Sequence, residues 1–174
     1  MPRPQKQFFV RECERGEWEK FKRYHYLNTE ISCACKCYGL YDETEIIGFC
    51  AVMHQAHNQA SNLKRCSRLV ILPDYQGIGL GVKFISIIAG CYTSQKFQFS
   101  IVTSAKNMIA ALSRSSEWHM TRYDKGKDMG SKSTIKYDAE RVKCKTATFK
   151  YIGKEGKIWR KSADLEKKLM KRSL

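Results

Sequence analysis

No run of 18 or more apolar residues occurs in the 174-residue chain, which excludes an ordinary membrane-spanning helix. The opening residues MPRPQKQFFV lack the apolar core of a secretory signal, so an intracellular, cytoplasmic protein is expected. No internal repeat and no low-complexity tract is present. Acidic residues are scarce, 17 against 32 Lys and Arg, leaving a formal net charge of +15. That surplus is uneven: residues 121–174 carry 17 Lys and Arg against 7 Asp and Glu. A basic final third suits a polyanionic partner such as nucleic acid, although a basic surface with no dedicated partner has the same composition.

Cysteine is the exception to this scarcity, with eight residues. Without a secretory context they do not announce a disulfide framework. Cys33, Cys35 and Cys37 form a C-x-C-x-C run. On an extended strand, side chains two apart share a face about 6.5–7 Å apart. A tetrahedral zinc site needs sulfurs roughly 3.8 Å apart. The run therefore fits a strand face with reduced thiols better than a metal chelate.

With 43% apolar residues the chain can bury a core of its own. FFVREC (8–13) reads as a first strand, and RGEWEKFKRYHYL (15–27) as a helix with Trp18, Phe21 and Tyr24 or Leu27 on one face. Residues 33–53 read as a hairpin turning at Asp42-Glu43-Thr44-Glu45. CSRLVIL (66–72) reads as a buried central strand, GVKFISIIAGCY (81–92) as a helix, KFQFSIVTS (96–104) as a strand and AKNMIAALSRS (105–115) as a helix. WHMTRY and KTATFKY close the fold as strands around the polar loop 124–141. The expectation is an α/β domain over residues 1–152, a mixed sheet of about seven strands flanked by helices. Residues 153–174 form a basic tail ending in a short helix, SADLEKKLMKR.

Between the central strand and its helix lies PDYQGIGLG (73–81), with three glycines in five residues. Glycine admits positive φ and lets a ligand approach the backbone. Free N–H groups and the dipole at a helix N-terminus favour an anion, typically phosphate. No G-K-[ST] follows, so the segment is not a Walker A loop. It is either a pyrophosphate cradle or a tight strand–helix turn with no ligand.

LVILPDYQGIGLG resembles motif A of the GNAT superfamily of N-acetyltransferases: an apolar strand, Pro, then Q/R-x-x-G-x-G/A, with Gln76, Gly79 and Gly81 at the pattern positions. The order of elements over residues 7–152 is similar to that fold. The resemblance implies acetyl-CoA as cosubstrate. It implies backbone amides of Gln76, Gly77, Ile78, Gly79, Leu80 and Gly81 around the pyrophosphate. It places a bulged central strand, Leu69, Val70 and Ile71, along the pantetheine arm, with one amide polarising the thioester carbonyl. Asn107 matches a position near the cofactor's thiol end. The pattern departs in two places. Ser113 stands where many members carry a Tyr general acid, and a serine hydroxyl is a far weaker acid. Cys66, Ser67 and Arg68 stand where others carry a Glu base.

Amine acetylation needs a group to take the amine proton. His25, in Tyr24-His25-Tyr26, has a suitable imidazole, or is a hydrogen-bonded structural histidine. His54 and His57 read as solvated loop residues, and His119 as structural. Arg68 is either a cleft residue that orients an anionic acceptor or the partner of an acid such as Glu30. His25, Tyr26 and Arg68 are also similar to positions in the phage Mom adenine-modification proteins, a GNAT-like branch of phages and mobile elements. The expected activity is direct acetyl transfer to a primary amine, on nucleic acid, a modified base or a protein lysine. The other reading is a nucleic-acid-binding module that keeps the fold without turnover.

Overall fold

The computed structural model describes residues 7–25, 30–43, 45–55, 61–124 and 145–155. Seven strands form one sheet in the order β1-β2-β3-β4-β5-β7-β6. They are β1 (Phe8–Glu12), β2 (Lys36–Asp42), β3 (Glu45–His54), β4 (Leu63–Ile71), β5 (Gln98–Thr103), β6 (Trp118–Asp124) and β7 (Thr146–Tyr151). Among the described residues only β4 and β5 pair in parallel. Their connection is helix α1 (Leu80–Ser94), and α2 (Lys106–Arg114) links β5 to β6. The mixed sheet expected from the sequence is the one observed.

Each face of the sheet has its own apolar layer. Phe84, Ile85, Ile88 and Tyr92 recur along α1 at helical spacing and pack on Leu40, Val52, Phe99, Trp118 and Phe149. Inside this layer the indole N–H of Trp118 donates to Ser86 Oγ at 2.8 Å, and Tyr38 and Tyr92 share a hydroxyl hydrogen bond of 2.8 Å. On the second face Trp18 and Phe21 pack on Phe49, Ala51 and Val70. These two aromatics were expected in a core, and both are buried.

Three local expectations are corrected. Residues 15–27 do not form one helix: two 3-10 segments, Arg15–Lys20 and Lys22–Tyr24, stand there instead. Side chains three apart align in a 3-10 helix, so Trp18 and Phe21 reach the sheet without an α-helix, and Tyr24 stays 37% exposed. The cysteine run is not a strand face. Cys33 and Cys35 belong to a turn in which the Cys35 N–H donates to Ser32 O at 3.1 Å, and only Cys37 enters β2. The central strand begins at Leu63 rather than Cys66. The loop 124–141 beyond Asp124, and the helix expected at 162–172, lie outside the described residues. Among the described residues no helix is long and apolar enough to cross a membrane.

Candidate functional site

The parallel ladder between β4 and β5 runs from Leu63–Gln98 to Cys66–Ile101 and stops. Beyond it β4 continues along β3 alone, while Val102 and Thr103 follow β7. A β-bulge coincides with the parting point. Ala51 pairs with Arg68 and Val52 with Cys66, so Ser67 is the extra residue. An extra residue bends its strand and ends regular pairing. The bulge therefore sits at Ser67, not within Leu69–Ile71 as the family pattern suggested.

Between the parted strands opens a cleft of about 110 Å³. Cys66, Ser67, Arg68 and Leu69 line one side, Ile101, Val102 and Thr103 the other. Ala105 and Met108 close it from α2, and His25 from the first segment. The edge of β4 facing the cleft can be read from alternation. The Leu72 N–H donates to Ile47 O in β3 at 2.9 Å. Successive backbone groups alternate sides, so the N–H groups of Ile71 and Leu69 point into the gap and that of Val70 points to β3. The cleft thus carries main-chain donors that need no side chain.

The glycine turn follows directly. Pro73–Tyr75 makes a 3-10 turn, Gly77 and Gly79 sit at φ of 82° and 81°, and α1 starts at Leu80. A Cβ on Gly77 or Gly79 would meet no atom within 4 Å, so backbone conformation, not crowding, selects glycine there. Gly81 differs: its Cβ would lie 3.2 Å from Met108 Cε, where α1 and α2 approach closely. The first intrahelical bond is Lys83 N–H to Gly79 O, leaving the N–H groups of Leu80, Gly81 and Val82 without an intrahelical acceptor. Gln76 builds the turn. Its backbone N–H donates to Pro73 O at 3.1 Å and its side-chain amide to Ile71 O at 2.7 Å. Its main-chain donor is therefore committed inside the turn rather than offered to a ligand.

His25 and Arg68 both reach the cleft. The His25 ring meets Trp18 edge-on, with centroids 5.6 Å apart. The Arg68 guanidinium donates to Ser67 O at 2.8 Å and to Glu30 O at 2.9 Å. Arg68 thus lines the cleft and also holds Glu30 through that residue's main-chain carbonyl. Tyr26 and His57 lie outside the described residues. His54 ends β3 and His119 lies in β6, both exposed. Ser113 and Asn107 are exposed on α2 and neither lines the cleft. The inward face of that helix is Met108 and Leu112, and Ser113 stands five residues past Met108, well round the helix. Ser113 is thus not placed as a general acid.

The cleft's polar side chains include two that sequence reasoning missed, Ser67 as the bulged residue and Thr103 at the carboxyl end of β5. The available signal was positional: open α/β sheets gather ligands at the carboxyl ends of their parallel strands. No carboxylate and no phenol is among the described residues that line it. Cys35 hydrogen-bonds Ser67 nearby; burial raises its thiol pKa, and that bond and the Arg68 charge offset part of the rise. Cys50 and Cys66 lie with their sulfurs 3.8 Å apart, and burial followed by the Cys66 contact raises the Cys50 thiol. The Cys35 and Cys50 thiols stay protonated near neutrality and are poor nucleophiles. Among the described residues no three His, Cys, Asp or Glu side chains converge as a metal site.

No protein-family profile matches the sequence, and no curated protein matches it. Solved structures do. The ribosomal-protein-S18-alanine N-acetyltransferase from Escherichia coli superposes with a TM-score of 0.60 at 12% identity, covering 83% of this chain and 93% of that one. Arabidopsis thaliana NAA60 in complex with acetyl-CoA gives 0.60 at 12%, over 83% and 98%. A GNAT family acetyltransferase from Elizabethkingia anophelis with acetyl-CoA bound gives 0.53 at 10%, over 83% and 97%. At these identities the likeness concerns the fold: the seven-stranded mixed sheet with flanking helices is that of GNAT acetyltransferases.

Proposed function

We propose that this chain is an acetyl-CoA-dependent N-acetyltransferase that passes the acetyl group directly to a primary amine. One observation carries the reading. The parted β4–β5 edge, with its inward N–H groups, runs straight into a positive-φ glycine turn that opens the N-terminus of α1. A long ligand with a diphosphate at one end and an amide-rich arm at the other fits that sequence of donors. A Cβ at Gly77 or Gly79 would meet no atom within 4 Å, so the turn is uncrowded where the diphosphate would lie.

Acetyl-CoA, when bound, supplies an activated acetyl thioester. The free N–H groups of Leu80 and Gly81, with the exposed turn Gly77-Ile78-Gly79, hold the diphosphate. The N–H groups of Leu69 and Ile71 line the arm, and the Leu69 donor faces the place where an oxyanion would develop. His25 takes the proton of the incoming amine, directly or through water, and Arg68 orients the acceptor. The acceptor amine is carried on nucleic acid, consistent with the net charge of +15 and with the similarity of His25, Tyr26 and Arg68 to phage base-modification proteins.

The absence of carboxylate and phenol from the described cleft lining favours a second reading, a nucleic-acid-binding module without turnover. Calorimetric titration of acetyl-CoA, and of CoA, into protein stripped of nucleic acid separates the two. The transferase reading expects one-to-one, micromolar binding and CoA release once an amine acceptor is added. No binding at millimolar acetyl-CoA would overturn it.

A further inference from the structure

Two β-bulges decide which side chains share the second face of the sheet. On an unbroken strand, residues three apart point to opposite faces. β4 carries Arg65 and Arg68 three apart, and β6 carries His119 and Arg122 three apart. Each strand inserts one extra residue between its pair, Ser67 in β4 and Thr121 in β6. The insertion turns both members onto one face. Arg65 pairs with Met53 and Arg68 with Ala51, alternate residues of β3. His119 pairs with Lys150 and Arg122 with Thr148, alternate residues of β7.

The register joins the two pairs. Arg65 to Ser100, Ser100 to Lys150 and Lys150 to His119 form one row across β4, β5, β7 and β6. At about 4.8 Å per strand the row is about 14 Å long. This face is turned away from α1: the alternate residues Ala147 and Phe149 pack in the α1 layer, and Ala51 packs in the other. Lys150, His119 and Arg122 are exposed and Arg65 is half-buried. β4, β5, β6 and β7 together contain one acid, Asp124, at the end of β6. The Arg68 end of the face is the wall of the cleft.

We propose that this face binds the phosphodiester backbone of a single-stranded nucleic acid and leads one base to the cleft. The inference rests on the transferase reading for what happens at the cleft, and not for the binding itself. Cationic side chains suit phosphate oxygens, and the face gathers Arg65, Arg122 and Lys150, with Arg68, held by Ser67 O and Glu30 O, at its cleft end. A length of about 14 Å spans roughly four nucleotides when the strand is stacked at the duplex rise of about 3.4 Å, and fewer when it is extended. Tyr24, beside His25 at the cleft, is 37% exposed. An exposed ring beside the cleft suits stacking of the base led there, a sequence-tolerant contact. A single strand is specified because a paired base would keep its amine inside the duplex.

The test is fluorescence anisotropy of a labelled single-stranded oligonucleotide of about twelve nucleotides against the whole chain, between 50 and 200 mM salt. The R65Q/R122Q/K150Q variant removes three cations outside the cleft. Each lost phosphate contact lowers the slope of log K against log salt by about 0.7, so the triple variant should lose about 2 from its slope and K150Q alone about 0.7. Polyglutamate is the comparison probe and should bind weakly and change little. An unchanged oligonucleotide slope in variants with wild-type circular dichroism and thermal midpoint would overturn the proposal. So would equal loss of polyglutamate binding, which would mark a general acidic-partner surface. Acetyl-CoA calorimetry on the same samples keeps the two readings apart: a reduced slope without acetyl-CoA binding would support this face and overturn the transferase.

Discussion

Gly79 is the residue whose replacement most directly probes the cradle. It holds φ at 81° at the N-cap of α1, and an added Cβ would meet nothing within 4 Å. Gly79→Ala therefore incurs backbone strain and no clash. Left-handed backbone costs a non-glycine residue about 1–2 kcal/mol. For a chain of this size each kcal/mol lowers the thermal midpoint by about 2–4 °C, so a fall of about 2–8 °C is expected. Gly81→Ala is the control. Gly81 is helical, alanine gains up to about 1 kcal/mol in helix propensity, and Met108 Cε at 3.2 Å is the flexible end of a side chain that can yield. It should be close to neutral. The ligand half of the experiment uses Gly79→Val, whose larger side chain enters the space in front of the helix N-terminus and should remove measurable acetyl-CoA binding by calorimetry. If Gly79→Ala melts with the wild type, the positive-φ argument fails. If Gly79→Val binds acetyl-CoA within roughly a factor of two of wild type, the diphosphate is not at this turn.

Two further outcomes test the folded frame. Ser86→Ala strips the buried Trp118 N–H of its partner and should cost about 1–3 kcal/mol in denaturant unfolding. In a Trp118→Phe background the same change should cost much less, and equal costs in both backgrounds would deny the bond. Stability should also fall at alkaline pH. Burial is the main cause that raises Cys13 and Tyr92 to about 12 and Cys37 to about 11, above the ordinary 9.0 of cysteine and 10.0 of tyrosine. A raised folded-state pKa means the native state holds protons that the unfolded state has released. That contribution is complete below about pH 9 and is lost as pH climbs toward 11–12. Thermal midpoints from pH 8 to 11 should decline, less steeply in Cys37→Ala, and identical profiles for the two proteins would count against burial as the cause.

Much of the fold was legible because alternation and helical spacing record burial face by face. β7 shows it: Ala147, Phe149 and Tyr151 are buried while Lys150 between them is exposed, as the pattern TATFKY predicts. The parallel crossover followed from a strand, a glycine turn and an apolar helix in succession. The first segment was misread because a spacing of three satisfies a 3-10 helix as well as an α-helix, and Gly16 weakens the latter. Asn107 and Ser113 were carried over from a family pattern, and a pattern fixes a position along a helix without fixing its rotation. Met108 fills the cleft-facing place, and its contact with the Gly81 position shows why the helix sits as it does.

The bulges were the features no periodicity could show, and they govern the site. A bulge leaves no mark in composition. It appears only when two strands are compared and one is found to be a residue longer. Ser67 does two things with that single insertion. It stops the β4–β5 ladder, which opens the cleft, and it turns Arg68 to the face that Arg65 already occupies. Thr121 repeats the second effect for Arg122, and its hydroxyl donates to Thr148 O at 3.3 Å across the irregular step. Read by alternation alone, Arg65 and Arg68 diverge, as do His119 and Arg122, and the basic charge of these strands is spread over both faces. Read with the insertions, it collects on one face that ends at the cleft. The charge of this chain is therefore informative through its register and not through its total.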